Sequence, residues 1–154
     1  MPEEQAVVII YGSIYGHTEN AAQLLAGKLA ECSVRHIAMY DAANTHSSIL
    51  IAEAFRASHI VLLSTTYNAG VFTPVENLLS AMASHNVQNR IVALAQNGSW
   101  ALSAEKGMRA WLEKMKNIQI LVPTLNIHSA LKPEQEKDME AMAAAIHTSM
   151  QVQE

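Results

Sequence analysis

Five apolar runs of strand length punctuate the chain, at Ala6–Tyr11, Val34–Met39, Ile60–Ser64, Ile91–Ala95 and Ile118–Val122, and they are rich in Val, Ile and Leu. Runs without polar alternation suit strands covered on both faces. Between and after them apolar residues recur at helical spacing: Ala21, Ala22, Leu25 and Leu29; Ile49 to Phe55; Val75, Leu78, Leu79 and Met82; Met108, Trp111, Leu112 and Met115; and Met139, Met142, Ala143, Ile146 and Met150. Alternation of five strands with five helices predicts a three-layer α/β sandwich. Its parallel sheet has right-handed crossovers and strand order 2-1-3-4-5, with helices on both faces. The last strand reads as a broken edge, because Pro123 removes a ladder donor and a second alternation, Leu125 and Ile127, comes before Pro133 opens the final helix. A chain of 154 residues is expected to form one domain, 1–154, with 1–5 and 151–154 frayed.

In such a sheet ligands sit at the carboxyl ends of the strands, so the connecting loops carry the chemistry. The first strand runs into Ser13-Ile14-Tyr15-Gly16-His17-Thr18-Glu19-Asn20 and a helix comes next. Hydroxyls on Ser13 and Thr18 bracket Gly16, whose missing side chain lets backbone N–H groups close on an anion at the positive end of that helix. Gly12 and Gly16 fit neither GxxxxGK[ST] nor GxGxxG, which argues against ATP and NAD. The pattern S-x-Y-G-x-T directly after a first strand resembles the phosphate loop of the flavodoxin family, and the fold is accordingly expected to be flavodoxin-like. The resemblance implies FMN as cofactor.

The loops after the third and fourth strands should face the same crevice, and their composition matches. One reads Thr65-Thr66-Tyr67-Asn68-Ala69-Gly70-Val71-Phe72-Thr73-Pro74, the other Gln96-Asn97-Gly98-Ser99-Trp100-Ala101. An isoalloxazine ring needs flat apolar surfaces and permissive backbone near its reactive nitrogen; Tyr67 and Trp100 offer the first, Gly70 and Gly98 the second. Four of the eight aromatic residues, Tyr15, Tyr67, Phe72 and Trp100, lie in these three loops. Without a ligand they would be exposed apolar surface.

Tyr-Gly-x-Thr-Glu, the Thr-Tyr-Asn loop with a downstream Pro, and Gly-Ser-Trp resemble the flavodoxin domain of flavodiiron proteins over nearly the whole chain. Leu125-Asn126-Ile127-His128 to Pro133-Glu134 resembles that subfamily's last strand and helix entry. The resemblance implies that Ser13, Ile14, Tyr15, Gly16, His17 and Thr18 hold the phosphate. It implies that Thr65, Thr66, Tyr67, Asn68, Ala69, Gly70, Asn97, Gly98, Ser99 and Trp100 embrace the flavin. Two places depart from the subfamily's pattern: Gln96-Asn97 stands where a smaller, glycine-rich sequence is usual, and Gly12 where a polar residue is common. The metallo-β-lactamase-like iron domain of flavodiiron proteins has no counterpart here, so the chain alone is not expected to reduce oxygen or nitric oxide.

Charge and the remaining chemistry narrow the picture. A net charge of -4 with ten scattered basic residues argues against a nucleic-acid surface, and no apolar run reaches a membrane span, so a cytoplasmic protein is expected. The single cysteine, Cys32, is expected to be a small buried apolar residue near Leu29. Seven histidines, at 17, 36, 46, 59, 85, 128 and 147, form no HxxxH or HxH pair, so no metal site is expected; His17 lies inside the phosphate loop, where its backbone N–H and ring can serve an anion. The function that results is electron transfer through FMN to a redox protein, with no catalytic acid, base or nucleophile required. A diiron domain in a longer parent protein would suit the role of partner. The alternatives are an NAD(P)H or quinone reductase of the same fold and a degenerate domain that only binds partners. A phosphoacceptor receiver is disfavoured, since its acid positions hold Gly12-Ser13 and Ser64-Thr65 and the chain has only Asp41 and Asp138.

Overall fold

In the computed structural model residues 4–12, 17–67, 70–97, 104–121, 124–127 and 136–152 are described, with Glu4, His17, Thr66, Tyr67, Gly70, Gln151 and Val152 by backbone alone. The elements run β1 (Glu4–Gly12), α1 (His17–Glu31), β2 (Ile37–Asp41), α2 (Ser47–Arg56), β3 (Ala57–Tyr67), β4 (Gly70–Val71), α3 (Thr73–Ser84), β5 (Arg90–Asn97), α4 (Ala104–Glu113), β6 (Ile118–Ile120), β7 (Leu125–Ile127) and α5 (Glu136–Val152). The sheet order is β2-β1-β3-β5-β6, with β7 also pairing β5, and all of these pairs are parallel. That is the expected 2-1-3-4-5, its fifth position split. β6 pairs Arg90–Val92 and β7 pairs Ala95–Asn97, so one strand receives two short ones on either side of the expected break at Pro123. Residues 122–123 themselves, and Pro133 with His128 and Glu134, lie outside the described residues.

Alternation sorts each strand onto two cores. Val8, Ile10, Ile60, Leu62, Val92 and Leu94 pack with Leu50, Leu79, Met82, Met108 and Leu112 from α2, α3 and α4. Val7, Ile9, Val61, Leu63, Ala93 and Ala95 pack with Leu25 and Leu29 of α1 and Met139, Met142 and Ile146 of α5. Both faces of the central strands are fully covered, which is why their sequences lack alternation. The Met-rich final helix is core, as expected. Trp111 is partly buried against the first core, its outer ring face covered by the Lys114 ammonium 4.6 Å from the centroid. Cys32 is partly rather than fully buried, packing at the rim of the second core just past the end of α1.

β2 begins at Ile37, later than the expected Val34, for a local reason. α1 ends in a Schellman motif: Ser33 N–H donates to the Ala30 carbonyl at 3.0 Å and Val34 N–H to the Leu29 carbonyl at 3.1 Å, with Ser33 at φ 70°. Val34 is thus the apolar residue that closes the helix onto Leu29 and cannot open the strand. α3 ends the same way, with Asn86 at φ 59°, Asn86 N–H on Ala83, and Val87 N–H on Met82 at 3.0 Å. α2 runs into β3 with no intervening loop, and its last carbonyls would be orphaned. Buried Arg90 of β5 takes them, Nε donating to the Ala54 carbonyl at 3.0 Å and Nη2 to that of Phe55 at 2.9 Å.

Candidate functional site

The sheet register delivers three loops at one level. Gly12 of β1 lies opposite Ser64 of β3, Ser64 opposite Gln96 of β5, and Gln96 opposite Asn126 of β7. β1 and β5 therefore end within a residue of this level while β3 runs on to Tyr67, and the crevice at these carboxyl ends is where an open α/β sheet binds its ligand.

At its β1 side, Thr18 is the second residue of α1 and is 2 % exposed, and among the described residues its hydroxyl has no hydrogen-bond partner. A buried hydroxyl held at the start of a fifteen-residue helix, next to N–H groups that have no partner within the helix and the positive end of the dipole, is suited to donate to an anion. This fits a flavin phosphate. The same edge also carries negative charge: the Tyr11 phenol is held above its ordinary pKa by burial, then by the Glu19 and Asp41 carboxylates, and it hydrogen-bonds Glu19. Ser13, Ile14, Tyr15 and Gly16 lie outside the described residues.

The second loop is more ordered than the sequence suggests. β3 continues through Thr65, Thr66 and Tyr67, then the chain folds back as β4, with Thr66 opposite Val71 and Tyr67 opposite Gly70 in antiparallel register. Thr65 to Tyr67 and Gly70 are therefore strand residues rather than loop residues. A two-residue strand is too short to show a periodicity, so nothing in the sequence marks it. Asn68 and Ala69 lie outside the described residues. The Ser64 hydroxyl fixes the chain beyond β4. Phe72 N–H donates to Ser64 Oγ at 3.1 Å, and Ser64 Oγ donates to the Thr65 carbonyl at 2.9 Å. Phe72 then stands as the N-cap residue of α3 with Pro74 in the first turn, which sets it at the crevice edge in keeping with the sequence.

Here the departure at Gly12 finds its cause. A Cβ on Gly12 would come within 2.7 Å of both Phe72 Cδ2 and Val75 Cγ2, so the space a side chain would fill is already taken by the start of α3. Gly107 plays the same part for β4: a Cβ there would lie 2.6 Å from Val71 Cγ2, and its absence lets α4 rest on the hairpin.

In the third loop, Asn97 is 5 % exposed and its carbonyl accepts from Thr65 Oγ1 at 3.3 Å, joining the ends of β3 and β5. Gly98, Ser99 and Trp100 lie outside the described residues. Gln96 points to the α4 side. Its Oε1 accepts the Glu105 N–H at 2.7 Å and its Nε2 donates to Asn126 Oδ1 at 2.7 Å. The Glu105 carboxylate accepts from Thr124 Oγ1 at 2.6 Å and Arg109 Nη2 at 2.9 Å, and these contacts hold it below the usual carboxylate pKa. Sequence reasoning marks Gln96 only as a departure. The signal available is a long amide inside an otherwise apolar strand, on the helix-facing side of the alternation, where it must find polar partners.

Among the described residues no group of three or more His, Cys, Asp or Glu side chains is placed to hold a metal, and no helix is long and apolar enough to cross a membrane. A doubly covered parallel sheet whose phosphate-ready helix start and two further loops meet at one edge defines a flavodoxin-like nucleotide-binding domain. Residues 9–144 match the flavodoxin family, and the chain belongs to it. Its cofactor is FMN and its activity is electron transfer through the bound flavin.

Among known proteins, a rubredoxin-oxygen oxidoreductase of Megalodesulfovibrio gigas is 30% identical over 111 residues, covering 71% of this chain and 27% of the relative. The solved rubredoxin oxygen:oxidoreductase of Desulfovibrio gigas superposes with TM-score 0.91 at 20% identity, covering 98% of this chain and 37% of that one. A flavodoxin from the domain Archaea superposes with TM-score 0.81 at 16% identity, covering 96% of this chain and 99% of that one. The structural likenesses establish the fold, and the expected kinship with the FMN domains of flavodiiron-type proteins is borne out. This chain spans about a quarter of the curated relative's length.

Proposed function

We propose that this chain works as the electron-carrying FMN domain of a flavodiiron-type system, passing electrons from an upstream donor to a redox protein partner in the cytoplasm. The observation that carries the reading is the alignment of Gly12, Ser64 and Gln96 near the carboxyl ends of β1, β3 and β5, with buried Thr18 at the start of α1. In this reading residues 1–154 act as one domain. Ser13 to Thr18 hold the phosphate, and Thr65 to Gly70 with Asn97 to Trp100 surround the ring. The flavin supplies the redox chemistry when bound. The protein's residues bind it, exclude water from it and set its potentials. Carboxylates on this edge, Glu19 and Asp41, oppose further negative charge, so the second reduction step is expected at a lower potential than in free FMN. Likeness to part of a flavodiiron core from Synechocystis and of a flavo di-iron protein from Thermotoga maritima supports a diiron domain as the partner, in the same polypeptide or the same assembly.

The test is a titration with FMN, following flavin fluorescence and visible absorbance, with riboflavin as the control without phosphate. Tight FMN binding with weaker riboflavin is expected. Thr18→Val should weaken FMN roughly tenfold, about 1.4 kcal/mol, and leave riboflavin unchanged, because a single charge-assisted hydrogen bond is removed. Equal losses for the two ligands would refute the phosphate assignment. Rapid NADH oxidation by the isolated flavoprotein would favour a reductase of the same fold instead.

A further inference from the structure

Resting on the reading that Asn97 contacts the flavin ring, we propose that Gln96 is a positioning residue: a clasp that ties the end of β5 to α4 and β7 and presets the adjoining Asn97 for the ring. Gln96 is 3 % exposed and sits in β5 among Val, Ala and Leu, on the face opposite Ala95 and Asn97. Oε1 accepts the N–H of Glu105, in the first turn of α4, and so ties the start of α4 to the end of β5 at 2.7 Å. Nε2 donates to Asn126 of β7 at 2.7 Å and, at 3.5 Å, to the Glu105 carboxylate.

β7 is three residues long and lies on the outer side of β5. The Gln96–Asn126 bond therefore adds a side-chain link to a strand with few backbone bonds of its own. Glu105 continues the chain of contacts to Thr124 and Arg109, so β5, α4 and the approach to β7 are locked around one buried amide. Fixing the end of β5 on two sides removes conformations of Asn97 that the ligand would otherwise have to suppress on binding. Gln96 therefore acts on ring affinity and flavin potential through Asn97.

The test compares the intact chain with Gln96→Met, Gln96→Glu and Asn126→Ala. Dissociation constants for FMN and riboflavin, the midpoint potential of bound FMN and the urea unfolding midpoint are measured for each. Gln96→Met keeps the volume and removes the amide's hydrogen bonds. It should weaken FMN and riboflavin by the same factor, about tenfold, and move the potential, because in this reading Asn97 serves the ring and not the phosphate. Gln96→Glu should bind weakly at neutral pH and recover as acid protonates the new carboxyl and restores a donor toward Asn126. Asn126 is exposed, so Asn126→Ala tests the link to β7 even if a change at Gln96 prevents folding; it should produce a smaller loss of the same even-handed kind. If the variants unfold at lower urea yet bind both flavins at the wild-type potential, Gln96 only stabilises the fold and the clasp is refuted. Failure of the wild-type chain to bind FMN would overturn the reading beneath it instead.

Discussion

Acid should destabilise this fold through one side chain far from the crevice. His59, near the start of β3, is 1 % exposed and faces α5. Ser149 Oγ donates to the Ile146 carbonyl at 2.7 Å, so it accepts from His59 Nε2–H at 2.9 Å. The Ser58 hydroxyl has one hydrogen and two acceptors in reach, Nδ1 at 2.7 Å and the Ala6 carbonyl at 3.2 Å; the shorter contact takes it, and both nitrogens of the neutral ring are then paired. Burial alone lowers its pKa from 6.5 to about 4. The folded state thus holds the ring neutral while the unfolded chain takes up a proton, so the associated stability is complete above pH ~6.5 and is lost as pH falls toward ~4. At pH 5 the unfolded state is favoured about 30-fold by this proton, roughly 2 kcal/mol, and the full gap is worth about 3 kcal/mol. The assay is urea unfolding of the flavin-free chain and of His59→Gln between pH 7.5 and 5. The difference between the two should shrink by about 2 kcal/mol over that range, since glutamine does not titrate. Parallel curves, or an imidazole titration by NMR with a midpoint near 6.5, would refute the reasoning.

Backbone geometry supports two further perturbations. Ser33 holds φ 70° at the end of α1, a conformation that costs a side-chain-bearing residue about 1–2 kcal/mol, while a glycine adds roughly 0.4–1 kcal/mol of unfolded-state entropy. Ser33→Gly should therefore stabilise by about 0.5–1 kcal/mol, read as a raised urea midpoint at unchanged slope. Gly12→Ala should destabilise by about 1–3 kcal/mol, because its Cβ would meet Phe72 and Val75 at 2.7 Å. Calorimetry should show a Tm lower by several degrees, and an unchanged Tm would show that α3 shifts freely.

How far the sequence reveals this protein depends on the range of the interactions involved. The central strands are legible because Ile9, Leu62 and Leu94 belong to runs buried on both faces. The broken last strand is legible because Pro123 and the Leu125–Ile127 alternation are local signals. Val34 misleads for the opposite reason: its apolar side chain is used by a helix cap, and an apolar residue looks the same whether it opens a strand or closes a helix. β4, the fit of Phe72 over Gly12, and the bonds from Gln96 to Glu105 and Asn126 all depend on residues far apart in the chain. No window of neighbouring residues contains them. Thr18 is legible from its place in a motif, and the structure adds what the motif cannot supply, its burial at the start of α1.

The division of the outer strand into β6 and β7 has a consequence for how copies of the chain meet. An exposed sheet edge is a template on which a second chain can add its own strand, and the hazard grows with the length of uninterrupted edge. Here that border consists of two segments of three residues with residues 121–124 between them. An incoming strand meets two three-residue segments in place of one long one. For a chain that is 50% apolar, an edge broken in this way is a safeguard against edge-to-edge aggregation at high concentration.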